Sequence, residues 1–398
     1  MTIPETDFDP YAAAVLADPF AHHEMLRELG PVFWLSRYNC YGMARFAEVR
    51  TALHDWETFV SSRGVGLSDF AHEEPWRPPS LLLETDPPVH NRTRGLMNKV
   101  AALPALKARL PEWKEKAASL VAALAGNGSF DAVTELAEAF PLSVFPDMIG
   151  LRDEGRENLL PYAMTAFNAF GPRNALLAES LASAEQATAW VAAACKRENL
   201  KGPGWAADVY AAADRGDCTQ EEAERLVRSF LTAGVDTTVN GIAALIYAMG
   251  SNPDEWQKLR ADPTLGKKAL EETLRWSGVA QTFFRTTSRA VQIGNDTIPE
   301  GQKIVLFLAA ANRDPRQWPD PERYDISRNA SGHVGFGFGI HQCLGQMVAR
   351  FEMEAVLSAL LEHVGEIRLT GAAQRRPNNT LYTIGSLPVE FAPCRINA

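Results

Sequence analysis

The chain has 398 residues, 46% apolar and 22% charged, which are globular values and exclude a disordered chain, a collagen-like sequence and a disulfide miniprotein. With 39 basic against 49 acidic residues the net charge is −10, so a nucleic-acid or anionic-membrane surface is excluded as the main function and any basic docking face must be local. The five cysteines, Cys40, Cys195, Cys218, Cys343 and Cys394, form no CxxC pair for zinc, an iron–sulfur cluster or c-type haem, and read as reduced thiols.

In chain order, Met1 to Pro10 holds neither the basic nor the apolar region of a secretory signal, and a cytoplasmic protein is expected. Residues 31–46 predict a hairpin, Val32 to Leu35 answering Cys40 to Phe46 across Arg37-Tyr38-Asn39. Pro75, Pro78, Pro79, Pro87 and Pro88 mark stiff, extended loop. Helical patterns follow at 104–125, 176–199, 219–250, 254–277 and 343–364, with a second small β region at 291–310. With no repeat or linker, the pattern predicts a mainly α fold with small β-sheets, β-rich near 30–60 and 280–310, in one domain over 1–398.

The segment Thr219–Gly250 is the most informative. Thr219-Gln220-Glu221-Glu222 has the form of a capping box, and about 30 residues at 1.5 Å each would run roughly 45 Å. Between Ser229 and Pro253 the only charged side chain is Asp236. A membrane span fits the length, but Asp236, Thr237, Thr238 and Asn240 cluster at its centre, and a buried core helix is expected. Threonine hydroxyls bonding back to carbonyls one turn earlier, with Gly234, would open a kink there.

A Gly-rich loop, Phe336-Gly337-Phe338-Gly339-Ile340-His341-Gln342-Cys343-Leu344-Gly345, leads into an amphipathic helix bearing Leu344, Met347, Val348, Phe351 and Ala355. At a helix start the free amides and partial positive charge favour thiolate over thiol, so Cys343 is either an anionic ligand or a buried structural thiol.

The pattern Phe-x-x-Gly-x-His-x-Cys-x-Gly resembles the haem-thiolate loop of the cytochromes P450, in which a cysteine sulfur holds the iron. The resemblance covers nearly the whole chain and implies that fold, with haem b between the long central helix and the Cys343 loop. It assigns Ala233-Gly234-Val235-Asp236-Thr237-Thr238 to oxygen binding, Asp236 and Thr237 being the catalytic proton path. His90 and Arg94, one helical turn apart, are placed with Arg285 and His341 at the haem propionates, and Phe336, Ala233 and Gly345 beside the cofactor. Glu272-Thr273-Leu274-Arg275 resembles the family's Glu-x-x-Arg helix, with Arg323 closing a structural triad.

Residues 61–80 and Thr282-Phe283-Phe284-Arg285-Thr286-Thr287 are similar to a narrower group, bacterial P450s that oxidise para-substituted benzoic acids. By that resemblance Arg77, Ser80 and Ser229 hold a carboxylate, Arg228 supports that end, and Leu83, Phe167, Phe170, Ala233, Ala280 and Phe283 clamp the ring. Three positions depart from the group: Ala280 stands for Val, Thr232 for Ser, and Phe338 for a small residue beneath haem. The implied reaction is O-demethylation of 4-methoxybenzoate to 4-hydroxybenzoate and formaldehyde, with O2. The alternatives are a hydroxylase of another hydrophobic acid, such as a fatty acid, and a haem-thiolate gas sensor. No complete Gly-x-Gly-x-x-Gly follows a strand. Electrons are therefore expected from another protein, and the resemblance implies an iron–sulfur ferredoxin and its NAD(P)H-dependent reductase. Its dock would be residues 90–116, where Arg92, Arg94, Lys99, Lys107, Arg109, Lys114 and Lys116 face Glu112 and Glu115.

Overall fold

Two long helices, Leu103–Leu124 and Gln346–His363, lie against each other at the centre of the helical part. The first buries Leu106, Trp113, Ala117, Val121 and Leu124, a spacing that puts all five on one face. The computed structural model describes residues 3–394. The fold is mainly helical, with small sheets, as the sequence pattern predicts.

The largest sheet has six short strands in the order Glu5–Thr6, Phe33–Leu35, Cys40–Met43, Lys303–Phe307, Thr282–Thr287, Phe59–Val60. The expected hairpin is present, with Phe33 opposite Gly42, Trp34 opposite Tyr41 and Leu35 opposite Cys40. Gly42 is required there, because a Cβ would meet the Phe33 ring at 2.3 Å. The 291–310 region holds Val291–Ile293 and Asp296–Ile298, which pair with each other, and Lys303–Phe307.

Two predicted helices are each two. Residues 176–199 form Ala175–Ser183 and Glu185–Ala194, and residues 254–277 form Pro253–Ala261 and Gly266–Ser277. In the second case Pro263, which has no N–H to give, stands in the break.

The central helix starts at the expected box: the Glu222 amide donates to Thr219 Oγ1 at 3.1 Å, and the Thr219 amide to Glu222 Oε2 at 2.9 Å. It runs as Gln220–Ala233 and Asp236–Ser251, interrupted at Gly234-Val235. The Phe145 ring fills the space a side chain at Gly234 would need, 2.0 Å from an ideal Cβ. Together the two halves are long and apolar enough to cross a membrane, but 78% of the most apolar window is buried in the protein, as a core helix requires.

Glu272 and Arg275 are fully buried and paired twice, Nε to Oε2 at 2.7 Å and Nη2 to Oε1 at 2.8 Å. The third member is not Arg323, whose side chain is exposed and which offers only its carbonyl to Arg275 at 3.5 Å. The turn around Pro321 points its carbonyls inward at Arg275 and its side chains outward. Arg328, five residues on, reaches Glu272 Oε1 at 3.1 Å instead. Removing one member of a buried ionic group leaves the others uncompensated, at about 3–5 kcal/mol. Glu272→Ala should therefore lower the urea midpoint strongly, Arg328→Ala clearly, and Arg323→Ala hardly at all. An Arg323→Ala loss equal to that of Arg328→Ala would contradict this assignment.

Candidate functional site

The Gly-rich loop is pinned by its own backbone. The Cys343 amide donates to the Phe336 carbonyl at 2.9 Å and the Gly337 amide to Val334 at 2.9 Å. Gly339, at φ +75°, approaches the Leu53 carbonyl so closely that a Cβ would lie 2.6 Å from it. The helix Gln346–His363 begins just after Cys343, whose sulfur takes the amides of Gly345 and Gln346 and lies near the guanidiniums of Arg94 and Arg350. Burial outweighs these donors and pushes the thiol up, so the helix start does not by itself favour the thiolate that the sequence pattern suggests. Phe338 turns away to the helix Phe46–His54, where Arg50 lies 4.3 Å above its ring and His54 stands 5.7 Å off.

Four basic side chains gather on one side of this loop. The rings of His90 and His341 are 4.4 Å apart, and both Nε2 atoms are buried without a hydrogen-bond partner. His341 Nδ1 meets the Leu82 carbonyl at 3.0 Å, while its Nε2 is 3.7 Å from Asp86, beyond hydrogen-bond reach. Asp86 is committed to the amides of Ser61 and Ser62. Burial, then the neighbouring His341, drives His90 down to about 4, and burial brings Arg285 down to about 10. Arg94 acts on both His90 and Cys343. Two guanidiniums, Arg94 and Arg285, against the one carboxylate of Asp86, beside two imidazoles whose Nε2 atoms have no partner and which an adjacent anion would help to protonate, fit a dianionic edge such as the two haem propionates.

The kink in the central helix has the expected form. Thr237 Oγ1 donates to the Ala233 carbonyl at 3.0 Å, across the break. Ala233 is exposed between the half-buried Thr232 and Gly234, and Thr237 is half-buried. Asp236 is buried, with Asn240 Nδ2 on its carbonyl at 2.8 Å and on Oδ1 at 3.2 Å. Burial lifts its carboxyl to about 7, with Arg376 pulling it down and Glu138 pushing it up.

Of the residues expected around the ring, all but Ala233 come together in one cluster. Phe167, Phe170, Leu83, Ala280 and Phe283 form one apolar cluster, joined by Val65, Val279 and Leu381, which sequence reasoning did not single out. Phe170 stands edge-on to Phe167 at 5.9 Å and tilted to Phe283 at 5.7 Å. Next to it the 78–80 loop gathers three arginines. Arg228 and Arg225 donate to the Pro78 and Pro79 carbonyls, and Arg77 Nη1 to Pro78 and to Glu84 Oε2 at 3.0 Å. Arg225 and Glu84 were missed. Arg225 lies four residues before Ser229 on the same helical face, a spacing that could have flagged it. The Arg77 side chain is 9% exposed, and its Nε, like that of Arg225, is buried without a partner. Ser80 Oγ accepts the Leu82 and Leu83 amides and lies 3.5 Å from Ser229 Oγ, which itself bonds the Arg225 carbonyl. Thr232 Oγ1 bonds the Arg228 carbonyl at 2.8 Å.

The basic stretch 90–116 is largely neutralised. Arg92 pairs with Glu222, Arg109 and Lys116 with Glu112, and Lys114 with Glu354.

A half-buried cysteine in a helix-start loop, a basic rim and a kinked helix with an exposed alanine and a half-buried threonine define a protein that holds haem through sulfur. Among the other cysteines, Cys394 is at the end of strand Pro388–Pro393, against Arg260 and the Glu362 carbonyl, and has no such loop. A model of the cytochrome P450 family matches residues 206–364. Cytochrome P450 CYP199A2 of Rhodopseudomonas palustris is 53% identical over 393 residues, spanning 98% of this chain and 95% of that protein. Cytochrome P450 107B1 of Saccharopolyspora erythraea is 35% identical over 293 residues, 73% of this chain and 71% of that one. Among solved structures, cytochrome P450 CREJ with (4-ethylphenyl) dihydrogen phosphate has a TM-score of 0.88 at 26% identity, covering 96% and 99% of the two chains. P450BioI with a hexadec-9Z-enoic acid ligated acyl carrier protein has a TM-score of 0.84 at 25% identity, covering 95% and 100%. The chain belongs to the cytochrome P450 family and is a haem-thiolate monooxygenase.

Hydrogen bonds to charged groups contribute about 1.5–3 kcal/mol, or roughly 10- to 100-fold in affinity. Arg94→Gln and Arg285→Gln should each speed haem transfer to apomyoglobin by about tenfold or more. Wild-type transfer rates in both would exclude the basic rim as the propionate site.

Proposed function

We propose that this monooxygenase oxidises para-substituted benzoic acids, its reaction being O-demethylation of 4-methoxybenzoate. The observation that carries this reading is the grouping of Arg77, Arg225 and Arg228, with Glu84 as the carboxylate among them, beside an aromatic cluster. Two buried, unpartnered guanidinium N–H groups are donors for one more anion, with the Ser80 hydroxyl, now 3.5 Å from Ser229 Oγ, beside them, and a desolvated carboxylate needs such charge-assisted bonds. Phe167, Phe170 and Phe283 supply flat apolar walls for a ring. The CREJ complex holds a para-substituted aromatic anion of related shape. P450BioI holds a fatty acyl chain, but rigid aromatic walls suit a ring better than a flexible chain.

When bound, the haem supplies oxygen activation, so that one atom of O2 enters a C–H bond of the substrate and the other leaves as water. Cys343 would hold it through sulfur, and His90, Arg94, Arg285 and His341 would be its propionate partners. The chain then has three tasks. Arg77 Nε and the Ser80 hydroxyl fix the carboxylate, which sets the para substituent at the far end of the ring. The aromatic cluster excludes water and restrains the ring, with Ala280 leaving more room than the Val expected there. Asp236, whose carboxyl exchanges its proton near neutral pH, passes protons to the Thr237 hydroxyl on the kinked helix. Two electrons and two protons are consumed with O2 as the methoxy carbon is hydroxylated, and the resulting hemiacetal loses formaldehyde to give 4-hydroxybenzoate. Electrons would come from a ferredoxin and its NAD(P)H-dependent reductase in the cytoplasm. Within the basic stretch, Lys99 and Lys107 lie outside the ion pairs described above and offer the dock.

A spectral titration of the ferric protein tests the substrate class. 4-Methoxybenzoate should bind at least about tenfold more tightly than its methyl ester, the difference a charge-assisted contact provides. Arg77→Ala should narrow that gap. Equal binding of acid and ester, or tighter binding of hexadecanoate than of the benzoate, would overturn the reading.

A further inference from the structure

The strand Lys303–Phe307 is buried along its whole length, and Ile304 to Phe307 are the apolar residues such a strand needs. Lys303 breaks that pattern. Its Nζ donates to the Arg63 carbonyl at 2.9 Å, the Gly64 carbonyl at 2.8 Å and the Gly66 carbonyl at 3.1 Å. Gly64, Val65 and Gly66 are buried, and among the described residues no other donor reaches the Gly64 and Gly66 carbonyls. Three acceptors need three N–H donors, which an ammonium has and a neutral amine lacks. Burial draws Lys303 down to about 7; Asp69 and Glu84 favour its charge, and Arg63 and Arg285 oppose it. Cys40, on the neighbouring strand Cys40–Met43, adds no charge, since burial pushes its thiol up to about 12.

The segment that Lys303 holds reaches the aromatic cluster in three ways. Val65 is itself a member of that cluster. The Leu67 amide donates to the Phe170 carbonyl at 2.8 Å, and Gly66 lies so close that a Cβ there would be 2.7 Å from Phe170 Cα. The Val65 carbonyl accepts the amide of Phe284, the residue after Phe283, at 2.9 Å. On its outer side the same stretch borders open space, where Gly66, Ser68 and Phe70 line a cavity of about 320 Å³. Asp86 fixes the start of the loop at the Ser61 and Ser62 amides, and Lys303 its middle. We propose that Lys303 is a positioning residue for the substrate ring: its ammonium holds the 63–66 segment against Phe170 and so fixes the wall that Val65 and Phe170 present. This role in turnover rests on the benzoate reading. Without the ammonium, the Gly64 and Gly66 carbonyls lose their donor, the segment is free to shift toward the cavity, and the ring gains room to tilt. The carboxylate stays held by Arg77 and Ser80, so affinity should change less than the placement of the para substituent.

Two measurements on the ferric holoenzyme test this. Amide deuterium exchange reads the segment without substrate. Lys303→Met should speed exchange across residues 64–67 by about tenfold or more, the order that loss of charged hydrogen bonds produces, and leave the 337–343 loop unchanged. Lys303→Arg, which keeps the charge and the donors, should restore much of the protection. A spectral titration reads the ring: in Lys303→Met, saturating 4-methoxybenzoate should give a smaller shift than in the wild type, with haem content unchanged. Should Lys303→Met not fold, the wild type supplies the reading. Protection of 64–67, corrected for the intrinsic pH dependence of exchange, should fall by about tenfold from about pH 6 to about pH 9, as deprotonation leaves two N–H donors for three carbonyls. Unchanged protection in Lys303→Met or, where that variant does not fold, a flat pH series would overturn the proposal. So would a full wild-type shift in Lys303→Met despite faster exchange. A wild type that shows no shift with 4-methoxybenzoate would refute the benzoate reading instead, while the exchange data would still decide what Lys303 holds.

Discussion

The structure depends on how a buried sulfur can be held as an anion. Around Cys343 the chain sets two helix-start amides and two guanidiniums, Arg94 and Arg350, yet burial still pushes the thiol up. Protein donors alone do not win against desolvation at this site. A metal cation does, because coordination deprotonates a thiol outright. The loop is thus shaped for a ligand that brings its own positive charge, and the amides and arginines serve to moderate the sulfur once that charge is there.

The same balance explains where the cations sit in a chain of net charge −10. Two interior groups carry more positive than negative charge: the rim of His90, Arg94, Arg285 and His341, and the 78–80 loop with Arg77, Arg225 and Arg228. Each is short of carboxylate, and each keeps buried donors without partners. In the fully buried Glu272–Arg275 pair with Arg328, by contrast, the chain supplies the carboxylate itself. In this account the unpaired groups bind anions from outside the chain, the propionates in one case and a substrate carboxylate in the other. The contrast between paired and unpaired arginines is what separates framework from site.

Much of this was legible in the residues, and what was missed has physical reasons. The Cys343 loop, the capping box at Thr219 and the kink at Gly234 depend on local spacing, and local spacing survives folding. The aromatic cluster was recoverable because a resemblance tied together positions far apart in the chain. Arg323 failed because the sequence cannot say which arginine of a turn points inward; there the carbonyls face in and the side chain faces out. Glu84 and Arg225 were overlooked because their importance comes from neighbours that only the packed 78–80 loop supplies. The helix-start amides do act on the Cys343 sulfur as the local pattern implies, while the opposing effect of burial comes from packing that no local pattern shows. The basic stretch 90–116 has two of its cations, Arg92 and Lys114, taken up by carboxylates from distant segments, Glu222 and Glu354, that no linear count could pair with it.

The central claim is that one sulfur, Cys343, binds the iron. Extended X-ray absorption at the iron edge of the haem-loaded protein tests it most directly. A sulfur scatterer should be present in the wild type and in Cys394→Ser, and absent in Cys343→Ser. Sulfur retained on iron in Cys343→Ser, or lost in Cys394→Ser, would contradict the account.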